Sequence, residues 1–237
     1  MRGRSMTEAA FFDRDGTLCH NDEREERFRD ECISRWAGHA FELPYDKFIS
    51  AFNALGARYP SLRGADTPER ERDFFYEWYR VILTGEGICE GVDEKAALLT
   101  SRLWVQAKVL YPDTLRTLDY FRAQGVRMGV ISDTGRTLEH TLRALGIDGY
   151  FGSVTSSAAV GVGKPDPRIY RAALEALGAQ AVRSMYVDDC GEEALGARKL
   201  GFTAFLIDRA GGSGDEWTID SLWRMAEYHA RGQRREL

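Results

Sequence analysis

From Tyr111 onward the sequence alternates short, nearly all-apolar runs with stretches in which apolar residues recur at helical spacing, and few folds satisfy that alternation. Pro112 opens a helix through Leu115, Leu118 and Phe121 that Gly125 ends, Val126 to Ile131 reads as a strand, and Leu138, Leu142 and Leu145 mark the next helix. Tyr150 to Thr155 then reads as a strand, followed by the glycine-rich Val160-Gly161-Val162-Gly163 and a helix from Pro167 to Leu177. A strand Met185 to Val187, a helix through Ala194, Ala197 and Leu200, a strand Ala204 to Ile207 and a helix through Ile219, Leu222, Trp223 and Ala226 complete the series. Strands that are apolar at nearly every position, rather than at every second one, are covered on both faces. The pattern therefore predicts an α/β core of three layers around a parallel sheet.

One more apolar run, Ala9 to Phe12, precedes this series and is cut off from it by about ninety residues of helical pattern. Phe28, Cys32 and Trp36 are at helical spacing, and Tyr45, Phe48, Ile49, Phe52 and Leu55 make a fuller stripe. Arg58 to Thr67, with Pro60, Gly64 and Asp66, reads as a loop; Phe74, Phe75, Trp78, Tyr79 and Ile82 mark a third helix, and Ala96, Leu99, Leu103 and Trp104 a fourth. Three of the five tryptophans fall in this block, which predicts an all-α helical bundle with its own small core. The expected organisation is core at 1–18, helical insertion at 19–109 and core again at 110–237.

A net charge of −5 leaves no basic field for a nucleic-acid backbone, so nucleic acid is not expected as a partner. Cys19, Cys32, Cys89 and Cys190 lie far apart with no CxxC spacing, which argues against both a zinc site and a disulfide framework and for reduced thiols. No apolar run approaches the roughly twenty residues that span a bilayer, and the first twelve residues lack the apolar region of a signal peptide. The expectation is a soluble, cytoplasmic protein with no membrane partner. Its oligomeric state is not legible in the sequence.

Several apolar runs end in polar groups. Phe12 is followed by Asp13, Arg14, Asp15, Gly16 and Thr17; Ile131 by Ser132 and Asp133; Val187 by Asp188 and Asp189; and Lys164 lies in a loop beyond the strand near Val154. The carboxyl ends of neighbouring strands in an open parallel sheet line one crevice, so these residues converge if the fold is as read. Clustered carboxylates suit Mg²⁺, a hard cation with oxygen ligands, while Lys164 and Ser132 suit the oxygens of a phosphoryl group. A strand end rich in Asp, Gly and Thr also describes an ordinary turn, and Ser132 alone describes a helix cap. Asp166-Pro167 reads as an N-cap followed by proline at the first helical position, whatever the function.

Taken together and in this order, Asp13-Arg14-Asp15-Gly16-Thr17, Ser132, Lys164 within Gly163-Lys164-Pro165-Asp166-Pro167, and Asp188-Asp189 with Glu193 resemble the four motifs of the haloacid dehalogenase superfamily. The resemblance covers nearly the whole chain outside the helical block. It implies a Rossmann-like core, a helical C1 cap inserted after the first motif, and Mg²⁺-dependent hydrolysis of a small phosphorylated substrate. On this resemblance Asp13 is the nucleophile that forms an aspartyl-phosphate and Asp15 is the general acid and base. Mg²⁺ is held by Asp13, the backbone carbonyl of Asp15, and Asp189. Lys164 pairs with nucleophile and phosphate, Ser132 and Thr17 contact phosphoryl oxygens, Asp188 supports, and Glu193 holds a metal-bound water. Within the insertion, Arg58, Tyr59 and above all Arg63 are the expected substrate contacts, with His20 and Asn21 similarly placed after the first motif.

Two positions depart from the family pattern. Asp133 stands where Asn is frequent, which adds negative charge beside a site meant for a dianion, and Asp188 stands where glycine is commoner. The alternatives are a phosphomutase or phosphotransferase of the same fold, which shares every motif, and a non-catalytic phosphate-sensing protein. Dehalogenation is disfavoured by Asp15, which supplies the proton a phosphate ester's leaving group needs.

Overall fold

The computed structural model describes residues 7–58, 67–104, 108–211 and 215–234. In chain order the elements begin with β1 (Ala9–Phe12), β2 (Cys19–Asn21), α1 (Glu23–Ala37), α2 (Tyr45–Arg58), α3 (Pro68–Gly85) and α4 (Val92–Leu103). They continue with β3 (Lys108–Leu110), α5 (Thr114–Ala123), β4 (Arg127–Ser132), α6 (Leu138–Ala144), β5 (Ser153–Ser156), α7 (Ser157–Val160) and α8 (Pro167–Leu177). The last are β6 (Ser184–Asp188), α9 (Gly191–Lys199), β7 (Thr203–Ile207), β8 (Thr218–Ile219) and α10 (Leu222–Arg234). None of the helices among the described residues is long and apolar enough to cross a membrane.

Two compact units result. The first draws on Met1–His20, Leu110–Thr134 and Leu145–Leu237, the second on Asn21–Val109 and Gly135–Ala144. The first holds a parallel sheet in the order β5-β4-β1-β6-β7-β8, so the run that the helical block isolates in sequence becomes a central strand. All four residues of β1 are fully buried. Alternation sends Phe11 to one face, where it meets Phe202 edge to face, and Phe12 to the other, against Phe121 and Phe151. Each such ring stabilises the fold by about 1.5–3 kcal/mol.

Register decides what this sheet presents at its carboxyl edge. Phe12 lies opposite Val130 of β4 and Val187 of β6, and the Asp13 amide donates to the Val187 carbonyl at 2.9 Å. Asp13, Ser132 and Asp188 therefore leave three adjacent strands within two residues of one another along the strand direction.

The second unit is helical, with a core of its own that includes Ile33, Leu55, Phe74, Trp78, Leu83 and Leu99. Two of its helices are capped by side chains: Asp22 caps α1 by accepting from the Arg24 amide, and Thr67 caps α3 just ahead of Pro68. One segment differs from the boundaries read in the sequence, because Gly135–Ala144 groups with the helices rather than with 110–237. The reason is side-chain contact: the Thr137 hydroxyl donates to the Glu71 carboxylate, and the His140 ring stacks on Trp104 at 5.5 Å. A second difference lies inside the supposed helical block, where Cys19–Asn21 and Lys108–Leu110 pair as a two-stranded sheet. Three-residue strands are too short to show a period.

Candidate active site

The turn after β1 is closed on the Arg14 carbonyl, which accepts from the Leu18 amide at 2.8 Å and the Cys19 amide at 3.0 Å. Gly16 makes the turn possible in two ways. Its φ is +72°, and a Cβ there would lie 1.9 Å from Asp189 Oδ2, so only glycine lets the second acidic strand end come so close. Arg209, beyond β7, holds the same turn from outside. It donates to the Thr17 carbonyl at 2.5 Å while forking onto Asp113 at 2.8 and 2.9 Å. Thr17 is fully buried, and its hydroxyl has no hydrogen-bond partner among the described residues.

Lys164 is the centre of the charge arrangement. Its side chain is 1% exposed, and its ammonium lies 2.7 Å from Asp13 Oδ1, 2.7 Å from Asp188 Oδ2 and 2.6 Å from Glu193 Oε2. Asp188 is fully enclosed: besides Lys164 it accepts the Tyr186 hydroxyl on Oδ2 and the Cys190 amide at 2.9 Å on Oδ1. Those bonds make Asp188 a support for Lys164. Glu193, which the resemblance assigns to a metal-bound water, pairs directly with the lysine, and the Tyr170 hydroxyl donates to its backbone carbonyl at 2.8 Å.

One ammonium does not neutralise so many acids. Burial pushes the Asp13 carboxyl well above the usual range; Lys164 pulls it back, and Asp188 pushes it up again. Glu193 is raised to about 7 by burial, against Lys164 and with Asp188. Asp189 is raised by burial and then by Asp188. Burial also works against the charge of Lys164, but Asp13, Asp188 and Glu193 together hold its pKa above the ordinary lysine value. Asp13, Asp188 and Asp189 each offer a carboxylate oxygen within 4.8 Å of the others. An all-oxygen, acid-rich donor set with unbalanced negative charge fits a hard divalent cation.

Ser132 is buried at the end of β4, with Ser156 opposite on β5. Asp15 is half-exposed, with its carboxylate in the fork of Arg14: Nε donates to Oδ1 at 3.1 Å and Nη2 to Oδ2 at 2.7 Å. Asp133 does not aim its charge at a phosphate site. Its two oxygens accept the Lys164 backbone amide at 3.0 and 3.2 Å, and a Cβ on Gly163 would sit 2.7 Å from one of them. Asp133→Asn keeps an acceptor for that amide and is expected to stay within a few-fold of the parent in kcat/KM. Asp133→Ala is expected to lose ~1–3 kcal/mol of stability together with roughly tenfold in kcat/KM, measured by urea unfolding and steady-state kinetics. Arg63 and Tyr59 lie outside the described residues, as does the side chain of Arg58. His20 packs its ring against Tyr111 at 4.8 Å, and Asn21 accepts from Lys108 at 2.9 Å.

Sequence reasoning missed three contributors. Tyr186 could have been found, since it lies two residues before Asp188 on one strand and so shares its face. Arg14 was visible between two candidate carboxylates, but strand alternation points it away from them. Arg209 gave no local signal.

Fold and site define an α/β enzyme with a carboxylate-lined centre at the carboxyl edge of a parallel sheet. The family model of the haloacid dehalogenase-like hydrolases matches residues 7–201, and the chain belongs to that family of hydrolases. It is 34% identical over 107 residues to phosphatase MT3486 of Mycobacterium tuberculosis, an overlap covering 44% of this chain and about half, 49%, of that relative. It is 26% identical over 231 residues to the glyceraldehyde 3-phosphate phosphatase of Methanocaldococcus jannaschii, covering 94% and 96% of the two chains. The solved HAD phosphatase from Thermococcus onnurineus shares the fold, with a TM-score of 0.59 at 23% identity over 93% of this chain and 97% of the other.

Proposed function

We propose that this protein is a Mg²⁺-dependent phosphate monoester hydrolase that acts on a small phosphorylated metabolite through an aspartyl-phosphate. The observation that carries the reading is the contact of Asp13 Oδ1 with the buried Lys164 ammonium, which holds the carboxylate while its other oxygen can attack. The phosphatase names of the two relatives support it. Asp13 attacks phosphorus in line, the bond to the leaving oxygen breaks, and Asp15 gives that oxygen its proton. Asp15, now a carboxylate, takes a proton from water as the water attacks phosphorus, and Asp13 is released along with inorganic phosphate.

Lys164 lets two anions approach each other by lowering their repulsion. Ser132 and the Thr17 hydroxyl, which has no partner among the described residues, are assigned to phosphoryl oxygens. Mg²⁺, held by Asp13, Asp189 and the Asp15 carbonyl, supplies charge neutralisation on those oxygens when bound. We assign choice of substrate to the inserted helical unit as a C1 cap, with Arg63 a candidate contact, on its place in the chain after the first motif.

The test is release of phosphate from a panel of sugar phosphates, phosphoglycolate and nucleotides, with Mg²⁺ and with EDTA. Turnover that needs the metal is expected, with EDTA removing nearly all of it. A phosphorylated protein that releases no phosphate to water would turn the reading to phosphoryl transfer between hydroxyls.

A further inference from the structure

We propose that Arg14 is a positioning residue for Asp15, fixing the direction of its carboxyl group, which is protonated for that step, for proton transfer to the leaving oxygen. The inference rests on the hydrolase reading above, and it concerns orientation. Side chains of neighbouring residues on an extended chain point to opposite sides. Here the chain leaves β1 just before the pair, and the guanidinium turns back along Asp15 with two parallel hydrogen bonds, 3.1 and 2.7 Å. Such a fork sets the plane of a carboxylate as well as its distance, which a lysine cannot do.

The arrangement is more than a surface ion pair. Arg14 is 7% exposed, and Nη2 reaches on to the Thr134 hydroxyl at 3.3 Å, tying the end of the first strand to the segment after β4. The same residue's carbonyl closes the turn through the Leu18 and Cys19 amides. One residue thus holds both the backbone that carries Asp15 and its side chain. The Asp15 side chain is itself 49% exposed, and the fork, with the Cys19 thiol donating to Oδ1 at 3.6 Å, narrows the rotamers open to it. Fixing a general acid in one direction is worth part of the ~10²–10⁴-fold that such groups contribute.

The test compares kcat/KM for an alkyl phosphate and for 2,4-dinitrophenyl phosphate, in the full chain with Mg²⁺, because the dinitrophenolate leaves without a proton. Arg14→Met and Arg14→Lys are both expected to fall ~10- to 100-fold on the alkyl ester while staying within a few-fold of the parent on the dinitrophenyl ester. Asp15→Asn should show the same selectivity, more steeply. The double variant Arg14→Met/Asp15→Asn should be no worse than Asp15→Asn within about twofold, since Arg14 acts through Asp15. Equal losses on both esters, or additive losses in the double variant, would overturn the inference and leave Arg14 a structural anchor. Full activity of Arg14→Lys on the alkyl ester would overturn it too, by showing that charge suffices without the fork. If Asp15→Asn itself treats both esters alike, the assignment of Asp15 as the acid fails, and the role of Arg14 fails with it.

Discussion

Asp13→Asn is expected to remove turnover by ~10⁴-fold or more and to leave no covalent phosphate on the protein, because an amide is a poor nucleophile where a carboxylate is a good one. The fold should survive. Asn presents the same carbonyl oxygen to the Lys164 ammonium that Asp13 Oδ1 presents at 2.7 Å, and its amide adds no charge to a cluster already rich in acid. Rapid acid quench followed by mass analysis of the intact chain reads the labelled species in the parent, and phosphate release reads turnover. A variant that is folded by far-ultraviolet circular dichroism but keeps more than about one per cent of parental activity would remove Asp13 from the role of nucleophile.

Lys164→Met is expected to have the largest effect on stability, about 3–5 kcal/mol, the range for removing one partner from a buried ion pair. Three carboxylates would lose their shared cation at once. The cost should depend on pH in a definite direction. Glu193 is raised in the folded protein to about 7 from an ordinary value of 4.5, so its contribution to stability is fully present below about pH 4.5 and is lost as pH rises through 7. Asp13 is raised in the same sense. Lys164 opposes both shifts, so its removal raises them further and enlarges the loss above neutrality. At pH 5 the acids take up protons and relieve much of their repulsion. Urea unfolding of the metal-free variant and parent should therefore diverge most above pH 7 and least near pH 5, with Mg²⁺ narrowing the gap. A difference independent of pH would mean that the lysine stem's packing, rather than its charge, had been lost.

Much of this site is legible in the sequence because three of its groups follow apolar runs directly. Asp13, Ser132 and Asp188 end adjacent strands, and the near-continuous apolar pattern of those strands identified a parallel sheet. Asp166 was legible as a helix cap from the proline that follows it, and it accepts from the Arg168 amide at 2.9 Å. What could not be read depends on where side chains turn once strand geometry ends. Arg14 bends back to Asp15, Asp133 turns to the Lys164 amide, and Glu193 reaches the lysine itself. Nor could the grouping of Gly135–Ala144 be anticipated, because it rests on Glu71 and Trp104, far away in sequence. The substrate contacts expected at Tyr59 and Arg63 lie outside the described residues.

The order of strands also ranks the candidate site residues by how much of the sheet must open before each can move. Asp13 ends a strand flanked on both sides, so its backbone should exchange amide hydrogens only when the sheet itself opens. Ser132 and Asp188 end the two strands next to it. Lys164 follows β5, an edge strand, and edges are the first part of a sheet to fray. The lysine that organises the charge cluster is thus carried by the segment that follows an edge strand, with its side chain buried against the interior ones. The Asp133 carboxylate counters this by accepting the Lys164 amide, which ties the segment after β5 to the end of the interior strand β4.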